Sequence, residues 1–217
     1  MLTIAHGQER GQGTGTIEGM ITVAGGDDVT EEILRGRLMS RYGGHSLHMV
    51  EQVQPYRLSE KTVVYIDDIE EPGSDQEELP RPKLNQHQMM FRPLVLPVVA
   101  GATVDFPNND DLYHNVFSYS RAREFDLGRY PTGQKKSITF EKPGIVKVYC
   151  DIHSYMYSTI IVLRSHHFAV PSDDGFYRIP DVPEGTHSLV FWYGRKIVDT
   201  RAITVKAGSV TTVDFSR

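Results

Sequence analysis

The segment Cys150-Asp151-Ile152-His153-Ser154-Tyr155-Met156 holds the only cysteine of the 217-residue chain, with a histidine three places on and a methionine three beyond it. Upstream, Asn108-Asn109-Asp110-Asp111-Leu112-Tyr113-His114-Asn115 offers a further imidazole. Together the two stretches supply one thiolate, two imidazoles and one thioether. Soft sulfur and nitrogen donors in this proportion suit copper, and two imidazoles and a thiolate with a weak, long axial thioether serve electron transfer. Singly, each residue has a plainer reading: a lone buried cysteine is usually a small hydrophobe, and a lone histidine or methionine usually packs. The joint pattern favours the metal. The remaining histidines do not compete well. His45 and His48 form His-x-x-His without a third ligand, His166-His167 falls in a linker expected to be solvated, and His87 is a weak alternative ligand. No His-x-His pair occurs that would build a trinuclear copper centre. No catalytic set is found, so the expectation is a protein that is not an enzyme.

The elements around these residues must bring them together. Ile145 to Tyr149 reads as a strand that ends in Cys150. Strand alternation puts Cys150 on one face with Val146 and Val148, directed inward. Ser158 to Leu163 then runs back, so Cys150, His153 and Met156 share one loop at the end of a barrel. A fourth donor has to come from elsewhere, and His114 opens another strand. Further strands are read at Thr16 to Val23, Thr62 to Ile66, Leu94 to Val99, Ala102 to Phe106, Lys136 to Phe140, Ser188 to Trp192, Arg201 to Val205 and Val210 to Phe215. Short strands at this spacing with turn signals between them predict an all-β sandwich or barrel. One short helix is expected over residues 30–41, where Ile33, Leu34 and Leu38 recur at helical spacing. Residues 67–82 are acidic and hold three prolines, which marks a loop or boundary.

The Cys-x-x-His-x-x-Met spacing, with an earlier His-Asn, resembles the cupredoxins, and among them the amicyanins; plastocyanins carry a longer gap before the methionine. Phe91-Arg92-Pro93 before an apolar strand, Gly101 to Asn108 leading to the first histidine, and Gly144 before the strand that delivers Cys150 follow the same pattern. The resemblance implies a Greek-key cupredoxin sandwich over residues 80–164. It also implies His114, Cys150 and His153 as equatorial copper ligands and Met156 as the axial one. Asn115 matches the residue that tethers the ligand loop and hydrogen-bonds near the thiolate. A second resemblance lies in Gly175-Phe176-Tyr177-Arg178-Ile179-Pro180-Asp181-Val182-Pro183-Glu184-Gly185, which is similar to the carboxypeptidase regulatory-like, transthyretin-like sandwiches. The C-terminal residues are too few for a whole sandwich. The expectation is therefore a discontinuous one, residues 12–72 and 165–217, with the copper domain inserted; the alternative is that Thr62 to Ile66 belongs to the copper barrel.

A net charge of -5 without a basic stripe argues against nucleic acid as a partner, and no apolar run reaches transmembrane length. The functional expectation is a type 1 (blue) copper protein that passes single electrons through an exposed edge of His153. Its partners would be a c-type cytochrome and a dehydrogenase or oxidase. Copper binding or delivery without a redox circuit, and a structural module with a decayed site, are the alternatives. Aromatic Tyr155 and Tyr157 are expected to ring the copper loop as exposed groups. A periplasmic or exported location is expected, with the signal peptide already removed; the N-terminal residues themselves show no such signal.

Overall fold

Short β-branched runs broken by glycine and proline leave little room for helix. The computed structural model describes residues 13–25, 54–70 and 81–217, and these form strands almost throughout. In chain order they are β1 (Thr14–Thr22), the helix α1 (Leu58–Lys61), β2 (Thr62–Ile66), β3 (Asn85–His87), β4 (Met90–Arg92), β5 (Val95–Val99) and β6 (Thr103–Pro107). Then follow β7 (His114–Ser120), β8 (Arg123–Tyr130), β9 (Lys135–Thr139), β10 (Gly144–Tyr149) and β11 (Tyr157–Leu163). The last are β12 (Phe168–Ala169), β13 (Phe176–Pro183), β14 (Gly185–Tyr193), β15 (Lys196–Val205), β16 (Val210–Thr212) and β17 (Phe215–Ser216). The helix expected over residues 30–41, His45, His48 and the acidic run beyond residue 70 lie outside the described residues.

The central strands form a Greek-key sandwich. One sheet runs β5-β11-β10-β7-β8, with β5 parallel to β11, and the pair β6-β9 faces it. Phe106 and Phe140 meet Val116, Val146, Val148 and Ile160 between them in one apolar core. The flanking strands pair with each other across the whole length of the chain. β1 lies between β13 and β16 and also pairs with β17, while β2 lies between β12 and β14. Thr62 to Ile66 therefore pairs with flanking strands only, among the described strands. β1 needs glycine where neighbours press closest: a Cβ on Gly19 would come within 1.9 Å of the Val213 carbonyl oxygen.

β11 joins the two halves. Every residue of Tyr157–Leu163 is buried, as suits a strand covered on both faces. Alternation sends Ile160 and Val162 into the central core. Ile161 and Leu163 point the other way, into a second core with Leu94, Val95, Ile17, Val64, Phe191 and Phe215. Phe191 and Phe215 stack at 4.9 Å there. His167, expected in solvent, is 9% exposed. The chain pulls it in because its carbonyl oxygen accepts from the Ile66 amide at 3.0 Å, next to the β12–β2 pairing. No helix among the described residues is long and apolar enough to cross a membrane.

Candidate metal centre

Three donors converge at one end of the central sandwich. Cys150 follows β10 directly, on the inward face with Val146 and Val148, and is 3% exposed. His114 opens β7 and is fully buried. His153 sits on the loop between β10 and β11. The Cys150 sulfur lies 4.0 Å from His114 Nδ1 and 3.9 Å from His153 Nδ1, and the two Nδ1 atoms are 3.1 Å apart. Metal bonds of about 2.0–2.3 Å to nitrogen and sulfur put such donors roughly 3.5–4 Å apart around a trigonal ion. The two sulfur–nitrogen sides fall in that range, the nitrogen–nitrogen side is shorter at 3.1 Å, and the donor types fit copper. These three are the one cluster of this kind among the described residues.

The loops that carry the donors are tied down. Asn115, 2% exposed, accepts from the Asp151 amide at 3.3 Å and donates to Asp126 at 2.6 Å, so β7 grips the ligand loop at its first residue. Met156 is 1% exposed, in the same apolar cluster as Cys150, and its amide donates to the His153 carbonyl oxygen at 2.9 Å. The loop before His114 folds around buried Asn108, whose side chain donates to the Leu112 and Tyr130 carbonyls and accepts from the Asp110 amide. Asp110, to which the sequence alone assigns no role, then reaches His114. Its carboxylate lies 2.9 Å from His114 Nε2. The signal was present in the sequence as a carboxylate four residues before the histidine, yet spacing on an irregular loop gives no direction.

Two expectations about exposure are corrected. His153 is 8% exposed, Tyr155 8% and Tyr157 6%. The Tyr155 ring packs 5.9 Å from that of His153 and its hydroxyl donates to Met89 sulfur at 3.4 Å. Tyr157 begins β11 and lies beneath the Arg195 guanidinium, 3.5 Å from its centroid. Both tyrosines are drawn inward by packing that their sequence position does not reveal. The exposed apolar side chains beside the centre are Leu112 and Tyr113, 43% and 60% accessible. His87, on β3, is exposed and outside the donor cluster.

Electrostatics favours a thiolate. Burial alone would push the Cys150 thiol up. Hydrogen bonds with the His114 and His153 rings and with the backbones of Asn115 and His153 outweigh it and bring the thiol from 9.0 down to about 6. Burial would likewise lower His114, but its hydrogen bonds with Asp110 and Cys150 raise it from 6.5 to about 9. Burial also opposes ionisation of Asp110, whose hydrogen bonds to His114 and to the Met89 and Gln88 amides hold it below the usual carboxylate range. The stability contributed by Cys150 is complete above pH 9.0 and fades as pH falls through 6; that of His114 is complete below pH 6.5 and fades as pH rises through 9. The copper-free protein should therefore show ultraviolet thiolate absorption that titrates near pH 6 when folded and near pH 9 when unfolded in denaturant. Equal midpoints in the two states would refute this account.

Residues 81–163 match the family model for copper binding proteins of the plastocyanin/azurin family. No curated protein matches the chain. Among solved structures, a copper-containing nitrite reductase from Thermus scotoductus is 28% identical over 44% of this chain and 25% of its own, with a TM-score of 0.39. The chain thus spans a quarter of that protein's length. A purple cupredoxin from Nitrosopumilus maritimus is 30% identical over 32% of this chain and 78% of its own, with a TM-score of 0.30. A reduced mutant amicyanin is 22% identical over 38% of this chain and 81% of its own, with a TM-score of 0.36.

Proposed function

We propose that the cupredoxin domain over residues 81–163 holds a single type 1 copper ion and passes electrons one at a time between redox proteins. The observation that carries this reading is the convergence of His114 Nδ1, Cys150 sulfur and His153 Nδ1 in a buried pocket at one end of the sandwich. We assign Met156 as the axial ligand and Asn115 as the residue that steadies the ligand loop. Bound copper supplies a one-electron couple. The fold holds the donors from three sides, which would let one arrangement serve both oxidation states: His114 is anchored by β7, Cys150 by β10, and the β10–β11 loop that carries His153 by Asn115. A donor set that does not move on oxidation keeps reorganisation small. Burial of the sulfur excludes water, and its depressed pKa favours the thiolate that a metal requires.

With His153 buried, contact with a partner falls to the surface around it, where Leu112 and Tyr113 are exposed. A c-type cytochrome, or a dehydrogenase or oxidase, is the kind of partner proposed, and the protein itself acts as a carrier rather than a catalyst. Such traffic belongs to a periplasmic or exported setting. We further propose that the flanking strands, residues 12–72 and 165–217, are one discontinuous sandwich of the carboxypeptidase regulatory-like kind, which the pairing of β1 with β13 and of β2 with β14 supports.

The experiment is to add Cu(II) and record visible, EPR and voltammetric responses, with Cys150→Ser as the control. An intense thiolate-to-copper band, absent from Cys150→Ser, together with a reversible one-electron wave is the expected result. A band without reversible electron exchange would favour copper delivery, and no band at all would sink the type 1 assignment.

A further inference from the structure

The hairpin between β3 and β4 turns at Gln88-Met89, and both residues take positive φ, 55° and 54°. Such a turn normally calls for Asn-Gly, because side chains at positive φ cost energy. Neither residue here is a glycine, so something must hold the turn. The Gln88 and Met89 amides donate to the two oxygens of Asp110, at 2.5 and 2.7 Å. The same carboxylate, 10% exposed, takes His114 Nε2 at 2.9 Å. Met89, held in this way, accepts the Tyr155 hydroxyl, and the Tyr155 ring packs on His153. One carboxylate therefore reaches His114 directly and the packing of His153 through Met89 and Tyr155.

We propose that Asp110 is a positioning residue for the metal centre: it fixes the ring of His114 and clamps the Gln88-Met89 turn over the His153 side of the site. This rests on the copper reading above. A carboxylate on the far nitrogen of a ligating imidazole orients the ring and makes the near nitrogen a stronger donor. Its negative charge favours the more highly charged Cu(II) over Cu(I).

The test compares wild type, Asp110→Asn and Asp110→Glu as full chains, each checked for folding by circular dichroism. In Asp110→Asn, Cu(II) affinity should fall about 10- to 100-fold. With Cu(I) affinity unchanged, the potential should rise by about 59 mV for each tenfold. Asp110→Glu, which keeps the charge, should recover part of the shift. Unchanged affinity and potential in a folded Asp110→Asn that still shows the visible band would overturn the proposal, whatever its stability. If wild type gives no band with Cu(II), the copper reading fails separately. The clamp is then judged on the metal-free protein by imidazole NMR: a slowly exchanging Nε2 proton on His114 in wild type, released in Asp110→Asn, supports it, and equal exchange in both overturns it.

Discussion

Copper at a free concentration a thousandfold above its dissociation constant should stabilise the folded chain by about 4 kcal/mol, a rise in melting temperature of roughly 8–16 °C for a chain of this size. The donors explain why the gain belongs to the folded state. Cys150 and His114 are 36 residues apart in sequence and meet only when β7 and β10 lie side by side. The unfolded chain keeps at most the local loop of Cys150, His153 and Met156. In Cys150→Ser the hydroxyl is close in size to the thiol, so the copper-free fold should be retained, while the thiolate proposed to bind copper is gone. Most of the metal-dependent stabilisation should vanish with it. Calorimetry of both proteins with and without Cu(II) makes the measurement, and an equal rise in both would show that copper stabilises the chain through some other site.

A second large effect concerns β11. Because Ile160 and Val162 face the central core while Ile161 and Leu163 face the flanking one, neither half can lose its packing without exposing the other. The two halves should therefore unfold together. The single tryptophan, Trp192, lies on β14 in the flanking core and is 5% exposed; the thiolate-to-copper band would report on the central sandwich. Both signals should disappear in one denaturant transition. Ile161→Ala removes buried methyl groups at the junction, where Ile161 is 2% exposed, and should cost about 2–5 kcal/mol through lost burial and the cavity left behind. That loss should shift both probes by the same amount. Two separated transitions in wild type, or an Ile161→Ala shift confined to one probe, would show that the halves are energetically independent.

Much of this was legible from short-range pattern. The strand that ends in Cys150, the return strand after Met156 and the turn at Lys142-Pro143-Gly144 all follow from alternation and punctuation, which act over a few residues. The same local logic placed Cys150 inward with Val146 and Val148. It failed at Tyr155 and Tyr157, because whether a loop-end aromatic faces water depends on what lies above it. Met89 and Arg195, 66 and 38 residues away in sequence, supply that cover. It missed Asp110 for a similar reason. The carboxylate acquires its role only when the Gln88-Met89 turn is brought against it.

By itself, the sequence determined the donor types, their spacing on one loop, and the all-β character of the chain, since each depends on residue identity and near neighbours. The tertiary structure decided what required distant segments to meet. It drew His114 to Cys150 and His153, paired β1 with β13 and β2 with β14, left His153 only 8% exposed, and set Asp110 between an imidazole and a turn that is costly without it. Local propensity carries no information about partners tens of residues away; packing of the two cores on either side of β11 selects them.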